Sequence, residues 1–187
     1  MINYWLKINL SIILFFILLC QSRSSIFLSP TKVFADEFRQ GRFFFGGDLG
    51  AAQTDLQRGD IEYDGTWLYG ALRAEYALSE QLLLGVEGAG WTDQKNMNSS
   101  ISEDVLTFMI TARVYPLLES GVFVKTGWGY VKHRYWESSA SSDASGTGYL
   151  VGLGYELDLG PLIMSYSRGD LDQETYEALT FSVGFTF

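Results

Sequence analysis

The sequence predicts an all-β protein, an eight-stranded antiparallel up-and-down transmembrane β-barrel, and three observations predict it. The last stretch, Tyr176 to Phe187, alternates strictly: Leu179, Phe181, Val183, Phe185 and Phe187 share one parity, with Thr180, Ser182, Gly184 and Thr186 between them. Period-two alternation of this kind describes a strand with one apolar face. Seven segments upstream alternate in the same way, and the connections between them are by turns short and long. An even number of strands, with short turns at one end and longer polar loops at the other, is the pattern of a barrel that crosses a bilayer.

In chain order, the first 35 residues read as a secretory signal. Met1 to Lys7 is a short basic start, Ile8 to Leu19 is an apolar run broken only by Asn9 and Ser11, and Val33, Phe34 and Ala35 offer small-residue cleavage before Asp36. The run is too short for a comfortable membrane-spanning helix. Cys20 offers a competing acylation site, but the preceding Leu19 is the wrong, bulky residue. As the only cysteine, Cys20 also excludes an internal disulfide. The domain expected after the signal is residues 36–187.

The eight predicted strands are Arg42 to Thr54, Thr66 to Leu78, Leu82 to Trp91, Asp104 to Tyr115, Gly121 to Lys132, Thr147 to Leu157, Pro161 to Arg168 and Tyr176 to Phe187. Most match the ~9–11 residues a tilted strand needs to cross a bilayer. Ser79 to Gln81, Pro116 to Ser120 and Asp158 to Gly160 are the short turns. Asp55 to Gly65, Thr92 to Glu103, His133 to Gly146 and Gly169 to Thr175 are expected as polar loops at the opposite end, which places both termini at the turn end.

Parity within the strands separates two faces. One collects Leu72, Leu84, Val86, Phe108, Ile110, Val151, Leu153 and Met164; the other collects Asp48, Arg73, Glu75, Glu87, Arg113, Lys125 and Glu156. Each Arg or Lys turned toward lipid at the midplane would cost about 2–4 kcal/mol. The charged set is therefore expected inside, as a mutually neutralising network that fills the lumen, because an eight-stranded barrel is only wide enough to hold its own side chains. Tyr76, Tyr155, Phe185 and Phe187 toward the turns, and Trp128, Tyr130, Tyr149 and Tyr166 toward the loops, form two interfacial rows. Trp67, Tyr69 and Trp91 fall on the charged parity, which leaves two readings: they cap the lumen, or a bulge turns them outward. The repeats Gly127-Trp128-Gly129-Tyr130 and Gly152-Leu153-Gly154-Tyr155 are followed by no helix pattern, so they are not phosphate loops; their glycines leave lumen space for long charged side chains.

Composition narrows the function. Mean hydropathy is +0.07, which leaves no room for a bundle of membrane helices. Formal charge is −9, and the basic residues Lys7, Arg23 and Lys32 of the leader leave 10 basic against 22 acidic residues beyond it. Nucleic acid, whose phosphates need a basic surface, is not expected as a partner.

The alternating final strand ending in an aromatic, the loop asymmetry and the dyad pattern together resemble small eight-stranded outer-membrane barrels of the OmpA-barrel and OmpX type, over residues 42–187. The resemblance implies a bacterial outer-membrane protein with periplasmic termini, contact with outer-membrane lipid and lipopolysaccharide, and an assembly signal in Leu179, Phe181, Val183, Phe185 and Phe187 read by the barrel-assembly machinery. It implies a structural or surface-interaction role and no cofactor. Lipid A deacylases of the PagL kind resemble this fold and use His-x-Ser, but the only histidine, His133, is followed two residues on by Tyr135. The PagP pattern of His, Asp and Ser would need His133, Asp143 and Ser138 in one loop. A lipid-modifying enzyme and a soluble lipocalin-like ligand binder are the alternatives; the latter needs the apolar face inside. The loop carboxylates Asp60, Glu62, Asp64, Asp170, Asp172 and Glu174 are weak candidates for a divalent cation, since their spacing is not that of a complete calcium loop. They are read first as a solvated acidic surface.

Overall fold

Alternation along the chain becomes the wall of a closed barrel. The computed structural model describes residues 40–58, 61–93, 101–137, 140–157, 160–172 and 174–187; the expected signal segment, residues 1–35, lies outside them. The strands are β1 (Phe43–Arg58), β2 (Ile61–Ala77), β3 (Leu82–Asp93), β4 (Ile101–Val114), β5 (Val122–Glu137), β6 (Ala140–Leu157), β7 (Gly160–Leu171) and β8 (Glu174–Thr186). Each pairs antiparallel with the next, and β8 pairs antiparallel with β1 to close the ring. Among the described residues each strand then has a ladder partner on both sides and no sheet edge remains, which is the condition for a β-structure in hydrocarbon.

Several strands run further toward the loop end than expected. Within the stretch expected as a loop, residues 55–58 pair with 61–64, continuing the ladder from Thr54 opposite Gly65 to Arg58 opposite Ile61. Likewise β5 and β6 stay paired up to Glu137 and Ala140, and β7 and β8 up to Leu171 and Glu174. The stretch from His133 to Gly146, expected as a polar loop, is therefore strand up to Glu137 and again from Ala140 onward. Ladder pairing asks only for backbone groups, so a polar hairpin continues beyond the point where apolar alternation stops. At the other end the connections are short, as expected. Ser79 Oγ accepts hydrogen bonds from the Leu82 and Gln81 amides at 3.1 and 3.3 Å. Leu118–Ser120 forms a 3-10 turn that ends at Gly121, whose φ of 67° is the left-handed conformation glycine adopts without strain.

Outside, the barrel is apolar. Leu49, Leu72, Phe108, Ile110, Trp128, Val151 and Leu153 are all at least half exposed, Leu72 by 72%. A soluble barrel would bury that face, so the lipocalin-like arrangement of faces is not the one adopted. Inside, the side chains form layers. Ala77, Leu83, Tyr115, Phe123 and Ile163 pack together at the turn end, with Phe44 and Leu118 against them. A larger cluster containing Trp67, Tyr69, Trp91, Met109, Val131 and Tyr176 packs toward the loop end. The charged residues lie between, as chain order requires: Arg113 precedes Tyr115 and follows Met109, and Lys125 falls between Phe123 and Val131. Gly154 shows why small residues line the wall here, because a Cβ at that position would overlap the Phe123 ring.

Candidate functional site

The charged layer of the lumen is the densest chemistry in the molecule. Asp48, Arg73, Glu75, Glu87, Arg113, Lys125 and Glu156 are each at most 4% exposed. They sit on the inward parity of β1 to β6, where alternation places them once the apolar residues face out. Their pairing crosses strands. The Arg73 guanidinium bonds Asp48 and lies 3.4 Å from Glu75. Arg113 reaches Glu75 at 2.9 Å and Glu156 at 2.8 Å. The Tyr115 hydroxyl donates to the same Glu156 oxygen at 2.6 Å, and the Arg113 guanidinium stacks over the Phe123 ring at 4.6 Å. Lys125 pairs with Glu87. Three cations and four anions thus hold one another inside a wall from which they could not be moved to lipid without a large penalty.

Arg73 does more than neutralise charge. Its Nη2 donates to the Phe185 carbonyl at 3.2 Å and to the Thr186 hydroxyl at 3.0 Å, so a β2 side chain holds the end of β8. On the same strand Leu179, Phe181, Val183 and Phe185 point outward, as does Phe187 just beyond it, while Thr180, Ser182 and Gly184 are buried inside. Phe187 follows the strand and still exchanges backbone hydrogen bonds with Phe45.

Trp67, Tyr69 and Trp91 are inside, 3 to 5% exposed. The register through both strands is continuous, so no bulge turns them outward. Tyr69, Trp91 and Tyr176 form a tilted aromatic series with centroid separations of 5.5 and 6.0 Å, and Trp91 Nε1 donates to Thr180 Oγ1 at 3.4 Å. These rings pack together inside the barrel, on the loop side of the ionic layer.

His133 is not a loop residue. It lies on β5, faces inward, is 3% exposed, and its Nδ1 lies 2.7 Å from Glu174 on β8. Asp143 faces the other way. It is exposed on the outer surface of β6 and pairs with Lys132 at 2.5 Å; that hydrogen bond holds its carboxyl below the usual range. His133 and Asp143 therefore do not converge, and Ser138 lies outside the described residues. Sequence reasoning missed the His133–Glu174 pair, whose only signal was the shared inward parity of two distant residues.

The carboxylates considered for a cation also part ways. Glu174 faces inward to His133, whereas Asp170 faces outward, 3.6 Å from Arg168, and Asp172 is exposed. Asp60 and the side chains of Glu62 and Asp64 lie outside the described residues. Among the described residues no group of three or more His, Cys, Asp or Glu side chains is placed to hold a metal ion. On the outer wall an apolar groove of about 470 Å³ runs over Gly70 and Gly88 between Leu49, Leu72 and Leu106.

No protein-family model matches the sequence, and no curated protein matches it either. Solved structures do match the fold. Ail, the attachment invasion locus protein of Yersinia pestis, solved in complex with the heparin analogue sucrose octasulfate, superposes with a TM-score of 0.55 at 17% identity, covering 78% of this chain and 99% of its own. A second structure of Ail gives 0.51 at 18% identity, covering 79% and 99%. Neisserial surface protein A gives 0.55 at 16% identity, covering 78% and 97%. The chain has the fold of small eight-stranded outer-membrane β-barrels.

Proposed function

We propose that this chain is an integral protein of the bacterial outer membrane with a structural or surface-interaction role, and that its lumen is a filled ionic core and not an open pore. The observation that carries the reading is the inversion of faces. Large apolar side chains cover the outside, and the seven ionisable side chains of the ionic layer, with the His133–Glu174 pair, are buried and paired inside. In water that arrangement would expose a continuous apolar belt far beyond what a soluble monomer carries. In a bilayer it is the stable one.

Outer-membrane lipid and lipopolysaccharide are then the partners of the belt and of the rim above it. Leu179, Phe181, Val183, Phe185 and Phe187 are the outward face offered to the assembly machinery, and the short turns and both termini lie on the periplasmic side. Surface interactions fall to the hairpins at the opposite end. The two apolar clusters above and below the ionic layer support a closed lumen.

Gel mobility and conductance test the two halves. Unboiled protein from the outer-membrane fraction should run apart from boiled protein and resist alkaline carbonate extraction, and protein reconstituted in a planar bilayer should pass no steady ion current. Recovery in the soluble periplasmic fraction would overturn the membrane assignment; steady conductance would overturn the filled lumen.

A further inference from the structure

We infer that Asp48, Arg73 and Gly184 set the register at which the barrel closes. Seven of the eight strand pairs join segments that follow one another in the chain, and the connection between two such strands constrains their register. The pair formed by β1 and β8 has no connection of its own. Alternation excludes a slip of one residue there, since it would turn every apolar side chain of β8 inward. It does not exclude a slip of two. The outward residues of β8 are Leu179, Phe181, Val183 and Phe185, and moving any of them by two positions leaves the outer face equally apolar.

The inner face is not indifferent. Asp48 stands opposite Gly184, and a Cβ at 184 would overlap its Oδ1 and press on the Pro161 ring of β7 at 2.8 Å. A two-residue slip in either direction brings Ser182 or Thr186 to that place, and each carries a Cβ. Arg73 adds the attractive half. It is held by Asp48 on one side and donates to the Phe185 carbonyl and Thr186 hydroxyl on the other. When Ser182 is slid opposite Asp48, Gly184 takes the place of Thr186, and the hydroxyl that Arg73 bonds is gone. Gly46 lets the guanidinium lie close to the wall, since a Cβ there would stand 2.9 Å from Nη2. Asp48 and Arg73 lie on adjacent strands, so the β1–β2 hairpin can form their pair before β8 arrives. The hairpin thus presents a steric notch for a glycine and a donor for the residues beside it. Because strand number and stagger together set the dimensions of a barrel, this choice also fixes its shape.

Cysteine pairs read the register directly. In a full-length Cys20→Ser background refolded into detergent micelles, Leu49→Cys is combined with Val183→Cys, its native partner, or with Phe181→Cys or Phe185→Cys, the partners after a slip. Oxidation should join the native pair almost alone. With Arg73→Gln, the slipped pairs should rise about tenfold relative to the native one, the scale expected for losing charge-assisted hydrogen bonds. Lys125→Met, which breaks a buried ion pair away from the closing strands, should leave the ratio unchanged. Thr186→Val, which removes the hydroxyl that Arg73 bonds and leaves the Asp48–Arg73 pair intact, should raise the Phe181→Cys crosslink severalfold, and it decides the matter if Arg73→Gln does not fold. Gly184→Ala should lower the yield of folded, heat-shiftable protein. Native-only crosslinking in folded Arg73→Gln or Thr186→Val protein, an equal rise in Lys125→Met protein, or an undiminished yield of folded Gly184→Ala protein would overturn the inference.

Discussion

The Arg113 guanidinium on β4 lies 2.9 Å from the Glu75 carboxylate on β2, passing over β3 to reach it. The same group meets Glu156 on β6 at 2.8 Å, so one cation ties together strands on both sides of its own. Such a brace works inside a barrel because curvature brings the inward positions of non-adjacent strands within a side chain's length.

Replacing Arg113 should therefore be costly. Among the described residues, Arg113→Met leaves Glu156 with only the Tyr115 hydroxyl, and Glu75 with only Arg73 at 3.4 Å. Removing one partner of a buried ionic group costs about 3–5 kcal/mol. Urea unfolding in micelles should show a loss of that order for Arg113→Met and a smaller one for Arg113→Lys. Lysine keeps the charge but cannot serve two carboxylates with a planar fork.

The Lys125–Glu87 pair separates the cost of breaking an ion pair from the value of having one. Lys125→Met strands Glu87 in the lumen and should lose about 3–5 kcal/mol, whereas Lys125→Met with Glu87→Met removes both charges and should recover most of that loss. Equilibrium unfolding of the two singles and the double gives the coupling. Additive losses would mean that the two residues act independently, against the contact observed between them.

What the sequence made legible follows from which physics is local. Parity is local: Asp48, Arg73, Glu87, Arg113 and Lys125 occupy the face opposite the apolar residues of their own strands, and each is buried. Trp67 and Trp91 obey the same parity and are buried with it, although interfacial aromatic residues are expected on the outer face. Pairing across the lumen is not local. That Arg113 meets Glu75, or that His133 meets Glu174, depends on strand stagger, and alternation leaves stagger open to slips of two. The loop ends were misjudged for another reason. Between Asp55 and Gly65, and again from Ala140 onward, backbone pairing continues where apolar alternation has ended.

On the outer rim, ion pairs should behave very differently from those in the lumen. Asp143 is exposed, and its carboxyl is depressed by the hydrogen bond from Lys132. A depressed carboxyl contributes its stabilisation above the unfolded value of about 3.9 and loses it as pH falls through the lower folded value. Any contribution of Asp143 is thus fully present at neutral pH and fades only in acid. Solvent screens such pairs, so Asp143→Asn should leave the unfolding temperature unchanged at physiological salt. A pH titration of the unfolding temperature should overlay wild type at neutral pH and diverge, if at all, only in strong acid.

The assignment of faces has its sharpest consequence at Leu153. On β6 the outward series runs Tyr149, Val151, Leu153 and Tyr155, so Leu153 lies between the aromatic residues expected at the two interfaces, and it is 50% exposed. If hydrocarbon surrounds it, Leu153→Arg places a guanidinium near the bilayer midplane at about 2–4 kcal/mol. If water surrounds it, the same substitution exchanges an exposed apolar residue for a charged one and should fall within about 0.5 kcal/mol of wild type, as surface changes usually do. Folding equilibria in lipid vesicles distinguish the two. A further contrast removes the objection that arginine disturbs the wall itself: Thr147→Arg, on the same outward parity but beyond Tyr149 toward the loop end, should cost about 0–1 kcal/mol, as expected near the interface. A large loss at 153 with a small one at 147 follows from depth in a bilayer, whereas equal losses at the two positions would point to strand distortion.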